Sequence, residues 1–128
     1  MALRGTTPLG TFAGVCGASA INAHTNGPLL VTYYTDGTIV VCGVGGVAIG
    51  YVVDDYAPGA AMTIYPIFAA LCEGTASAAI NVGDFIKSAA SGQIAPEATV
   101  TTKTLNTIGQ AFSAASGSGI RFLWTPGL

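Results

Sequence analysis

The sequence predicts an all-β fold, a small β-barrel or β-sandwich preceded by an extended N-terminal arm. Three observations lead there. Runs rich in β-branched and aromatic residues recur along the chain. Turn signals separate them about every 8 to 12 residues, the habit of sandwiches and barrels. No stretch is amphipathic at helical period over the roughly three turns that a stable helix wants.

Residues 1–28 read as the arm. Gly5, Gly10, Gly14 and Gly17 recur among threonines and alanines, no period is sustained, and Asn26-Gly27-Pro28 closes the segment like a turn. Residues 29–128 read as a single β domain. Its firmest element is a hairpin: Leu30-Val31-Thr32-Tyr33-Tyr34 and Thr38-Ile39-Val40-Val41-Cys42 flank Asp36-Gly37. Asp-Gly between β-prone runs marks a tight turn because glycine accepts the positive φ required there. Further strands are expected over residues 48–53, 61–65, 85–88, 93–95, 99–104, 107–113 and 120–124, with turns at Pro58-Gly59 and Ser91-Gly92. Residues 68–72 suit either one helical turn or a strand. In the last run Ile120, Phe122 and Trp124 share a face, opposite Arg121 and Leu123.

An internal echo runs through this domain. Ile49-Gly50-Tyr51-Val52 matches Ile108-Gly109-Gln110-Ala111, and Asp36-Gly37-Thr38-Ile39 matches Ser91-Gly92-Gln93-Ile94. The spacing shifts between the matches. The echo therefore describes two loosely similar β units rather than a true repeat array, which needs three or more copies.

Composition bears on what such a domain can do. Apolar residues make up 51% of the 128 residues and charged ones only 8%, against about 25% in an ordinary soluble domain. A net charge of −2 leaves no basic footprint for nucleic acid. So thin an ionic coat favours association, so part of the surface is expected to be covered by other subunits. Three scattered cysteines, Cys16, Cys42 and Cys72, are expected to be buried and reduced rather than a disulfide framework. No stretch is long and apolar enough to span a membrane as a helix. Arg4, the apolar run from Leu9 to Val15 and Ala18-Ser19-Ala20 only loosely imitate a secretory signal, since glycines interrupt the run.

Catalytic and cofactor chemistry finds little support. The one histidine, His24, lies near Cys16 with no orienting acid, and no serine sits in a nucleophile elbow. Gly43-Val44-Gly45-Gly46-Val47-Ala48 satisfies a dinucleotide fingerprint in letters, but a strand follows where the pyrophosphate needs a helix N-terminus. Asp54-Asp55 reads as an acidic tight turn, because calcium would want several further oxygen ligands. Trp124, Phe122 and Tyr65 read as core or subunit interface, since a nucleic-acid stacking platform needs basic neighbours beyond Arg121. The chain is expected to be no enzyme, with no cofactor and no metal.

The order of short motifs from Gly46-Val47-Ala48 to Leu123 resembles a family. After the opening come Ala79-Ile80-Asn81-Val82-Gly83-Asp84, then Ser91-Gly92-Gln93-Ile94, then Thr107-Ile108-Gly109-Gln110-Ala111 and a final strand. This order is similar to that of the small capsid decoration, or cement, proteins of tailed phages. The resemblance implies a β-tulip-like barrel, usually trimeric, seated at three-fold and quasi-three-fold positions of the shell, where it staples major capsid proteins together. It implies the major capsid protein and further copies of itself (a homotrimer) as partners, without nucleic acid or membrane. It also implies a place on the virion surface after synthesis in the host cytoplasm. Arg4, Leu9, Phe12 and Val15 of the arm, with Phe122 and Trp124, are the expected capsid or subunit contacts. The alternative is an exported β-domain acting as a surface or adhesin-like module.

Overall fold

The computed structural model describes residues 10–67 and 71–126, and these are nearly all-β. The first half holds β1 (Phe12–Val15), β2 (Ile21–Asn22), the single turn α1 (Ala23–Asn26), β3 (Leu29–Tyr33), β4 (Ile39–Val41), β5 (Gly50–Val52), β6 (Asp55–Tyr56) and β7 (Ala61–Pro66). The second half holds β8 (Cys72–Thr75), β9 (Phe85–Ser88), a 3-10 turn (Ala90–Gly92), β10 (Ile94–Pro96), β11 (Thr107–Ala111) and β12 (Arg121–Pro126).

Each half builds one five-stranded sheet, and the two have the same topology. The first runs β1-β7-β5-β3-β4, and the second runs β8-β12-β11-β9-β10 in the same sense. All neighbouring strands within them are antiparallel. Each sheet curls until its edges meet at one parallel bridge, Cys16 with Ile39 in the first and Ala76 with Ile94 in the second. The backbone bonds agree in detail. Gly17 N–H donates to Ile39 O at 2.9 Å, and Ser77 N–H to Ile94 O at 2.8 Å. Gly59 N–H donates to Cys16 O and Gly119 N–H to Ala76 O, from glycines with φ of 81° and 82°. Both echo pairs read from the sequence fall on equivalent places: β5 with β11, and the β3–β4 turn with the β9–β10 turn.

Tight curling needs room on the concave side, and glycine supplies it. A Cβ on Gly14 would lie 2.7 Å from Ile39 Cγ1, and one on the equivalent Gly74 would lie 2.5 Å from Ile94 Cδ1 and 3.0 Å from Trp124 Nε1. The first concave core holds Cys16, Ile21, Leu29, Val31, Ile39, Val52, Met62 and Ile64. The second holds Cys72, Ile80, Ile86, Ile94, Phe122 and Trp124, and it also takes in Leu30, Cys42 and Tyr51 from the first sheet's convex face. Alternation explains this sharing: Leu29 and Val31 point into their own half, and Leu30 between them points at the other. That double burial is why β3 and β5 read as nearly continuous apolar runs.

The halves are joined by polar contacts as well. Gly92 N–H donates to Cys42 O at 2.8 Å, and Arg121 Nη2 donates to His24 O at 3.2 Å. Ser88 Oγ donates to Gly43 O at 2.9 Å, and Gly45 N–H donates to Ser88 O. The glycine-rich loop after β4 is thereby pinned to β9.

Two segments differ from expectation. The described part of the proposed arm, residues 10–28, is woven into the first half: β1 pairs along β7 in the first sheet, β2 pairs with β6 in a separate two-stranded sheet, and Cys16, Ile21 and Ala23 are buried. Short glycine-bearing strands carry no period of their own, and their partners lie far along the chain. Residues 99–104 form turns rather than a strand. Their threonines have β propensity, but this loop instead folds around the buried Glu97, whose Oε2 accepts from Thr104 Oγ1 at 2.8 Å and Thr107 Oγ1 at 2.6 Å.

Candidate interaction surface

Most of the residues that hinted at chemistry turn out to brace the fold. The Asp55 carboxylate accepts from the His24 backbone N–H at 2.9 Å and from Thr25 Oγ1 at 3.2 Å, so Asp55 ties β6 to α1. Burial raises the Cys16 and Cys42 thiols above their ordinary pKa, which keeps them neutral and poorly nucleophilic. All three cysteines are buried and none is in a disulfide. Among the described residues, no group of histidine, cysteine and carboxylate side chains is placed to hold a metal ion. The glycine fingerprint leads into β5 without a helix.

What the molecule does present is apolar surface on loops. Val44 and Val47, on the loop after β4, and Leu105, before β11, are exposed, Val47 to 81% and Leu105 completely. Val47 and Leu105 border a depression of about 260 Å³ that is also lined by Ala48, Ile67, Asn106 and Ile108. Both loops are held firmly. Ser88 fixes the first, as described, and the Glu97 network fixes the second, with Asn106 N–H adding a bond to Thr104 Oγ1 at 3.1 Å. Large aliphatic groups held rigidly in water suit a partner that covers them, because little ordering entropy remains to be lost.

Two further patches are smaller. Phe112 and Leu123 stand side by side on the convex face of the second sheet, where Phe112 N–H donates to Leu123 O at 2.8 Å, and both are exposed. At the tip of the β3–β4 hairpin, Tyr33 and Tyr34 are exposed beside a shallow depression of about 290 Å³ lined by Ala18, Ser19, Tyr34, Asp36, Thr38 and Val40.

The residues expected at an interface from sequence are scattered. Arg4 and Leu9 lie outside the described residues. Val15 is 49% exposed on β1, whereas Phe12 is half-buried against the first core. Phe122 and Trp124 are 4% and 0% exposed and fill the second core, with Trp124 Nε1 donating to Glu73 O at 3.2 Å. This corrects their expected place at an interface: the face they share turns inward, and Leu123 on the opposite face meets solvent. Val44, Val47 and Leu105 escaped sequence reading because they sit singly among glycines, threonines and asparagine, with no period to betray them.

The fold has a solved counterpart. The chain is similar to the crystal structure of the head fiber gp8.5 N base of bacteriophage phi29, with a TM-score of 0.71 and 21% sequence identity over 91% of this chain and 92% of that one. At that identity the likeness establishes the fold. No family model and no curated protein matches the chain.

Proposed function

We propose that this chain is a non-enzymatic structural protein of a phage head, which binds the outer surface and stabilises contacts between major capsid proteins, as a decoration or cement protein does. The observation that carries the reading is the likeness to a head fiber base over nearly the whole of both chains. The motif order from Gly46 to Leu123 points the same way independently. The loop surface supplies a mechanism. Burying one aliphatic side chain of this size contributes about 1.5–3 kcal/mol, so Val44, Val47 and Leu105 together suit a modest contact per subunit. A homotrimer would convert three modest contacts into firm attachment, because the second and third engage at high effective concentration. With four basic and six acidic side chains, little of that attachment can be ionic.

Co-sedimentation tests the proposal. Purified protein is mixed with phage heads that lack it, and the pelleted fraction is measured for the wild type and for a Val47→Asp/Leu105→Asp variant. Both positions are exposed, so the variant should fold. The wild type pellets with heads, and the variant loses at least about tenfold in affinity, because two charges would have to be desolvated. A folded wild type that stays in the supernatant at every head concentration contradicts the proposal.

A further inference from the structure

The internal symmetry of the fold supplies a comparison that a single β unit could not. The β3–β4 turn and the β9–β10 turn are equivalent: Tyr34 N–H donates to Thr38 O and Ala89 N–H to Gln93 O, both at 2.8 Å, and Gly37 and Gly92 have φ of 84° and 76°. Their contents are opposite. In the second half the turn carries Ala89, Ala90 and Ser91 and is spent on the junction. There Gly92 packs so closely on β3 that a Cβ would lie 2.8 Å from Leu30 O. In the first half the same turn points to solvent with Tyr33, Tyr34 and Asp36 exposed and Thr38 half-exposed.

Of these, Tyr34, Asp36 and Thr38 border the depression of about 290 Å³, together with Ser19 from the segment before β2. That volume lies near the lower end of pockets for drug-sized ligands, roughly 300–1,000 Å³, and suits a single ring. Asp36 is pre-set. Its Oδ1 accepts from Thr38 N–H at 3.0 Å and from Thr38 Oγ1 at 2.6 Å, so the carboxylate is held in place and one oxygen remains for a ligand. We propose that this depression is a carbohydrate subsite, with a neutral sugar ring stacked on Tyr34 and its hydroxyls bonded to Asp36, Ser19 and Thr38.

The chemistry of the lining selects this class. An anion would be repelled by Asp36. An apolar side chain would bury the second Asp36 oxygen without a partner, which is costly. An arginine or lysine could approach Tyr34 and Asp36, but a guanidinium is best met by two carboxylate oxygens, and one of these is already occupied. Cationic side chains also have no acceptor to offer the Ser19 hydroxyl. Sugar hydroxyls donate and accept singly, and the ring C–H face meets an aromatic face. The subsite lies apart from the Val44, Val47 and Leu105 surface, so it would add a second binding function to a head protein.

Saturation-transfer NMR on the full chain tests it, with methyl α-glucopyranoside, methyl β-galactopyranoside and the methyl glycoside of N-acetylglucosamine as probes. Transfer to the ring C–H protons of at least one probe is expected, with Tyr34→Ala weakening it about tenfold or more. Asp36→Asn keeps an acceptor for the turn and should weaken binding several-fold. Both variants should retain the wild-type amide spectrum and pellet with phage heads as the wild type does, which separates this site from the head contact. Absence of transfer from every probe overturns the proposal, as does undiminished transfer in Tyr34→Ala. Preferential binding of N-acetylarginine amide at Tyr34 would overturn it in favour of a basic peptide.

Discussion

Trp124 shows how much rests on one side chain. It is completely buried, it fills the concavity that Gly74 leaves open, and its indole N–H is satisfied by Glu73 O. Trp124→Ala should cost about 3–5 kcal/mol in urea unfolding, from lost burial and the cavity left behind. Tyr51 makes a different prediction. Burial, helped by nearby Cys72 and Glu73, pushes its hydroxyl up to about 12. The folded state thus favours the protonated, neutral phenol. Its contribution is intact below the ordinary tyrosine value near 10 and is lost as pH rises from there through about 12. An alkaline melt should show stability falling across that window, and Tyr51→Phe should flatten the fall.

At the scale of the element, the loop ahead of β11 is organised by a carboxylate rather than by a strand partner. Glu97→Ala would strand the Thr104 and Thr107 hydroxyls and should cost about 1–3 kcal/mol, while Glu97→Gln, which keeps an acceptor, should cost less. Amide exchange over residues 98–106 is expected to accelerate in the alanine variant. Slow exchange there would mean that Leu105 is held by something else. The same loop shows where sequence reading runs out. Asp36-Gly37 was legible because a hairpin turn is decided by its own residues. Residues 99–104 carry strand-forming side chains but meet β9 at a backbone bond, Phe85 N–H to Val100 O, rather than along a ladder, and Glu97, placed by β10, holds the loop that follows. β1 and β2 were missed for the same reason, since their pairing partners β7 and β6 lie across the whole first half of the chain.

The described residues build two curled five-stranded sheets of one topology beside the small β2-β6 sheet, with the second curled sheet seated on the convex face of the first. The echo between residues 49–52 and 108–111 made the pairing of halves readable. It did not reveal that the copies have diverged in use: one β-turn glues the halves together, and its twin faces outward with two tyrosines and an aspartate. Nor did it show that Phe122 and Trp124 belong to the interior, because the parity of a strand says which residues share a face and leaves open which face turns inward. Low charge, by contrast, is a property of the whole surface and was plain from composition. Apolar loops on a nearly uncharged body are the basis of the proposed attachment to a phage head, and they set its response to salt.

The most direct measurement is therefore the fraction of protein retained on phage heads as sodium chloride is raised. Burial of Val44, Val47 and Leu105 predicts retention that stays level, or strengthens, up to about 1 M, where the screening length is only about 3 Å. Release of the protein at moderate salt would contradict attachment by apolar burial.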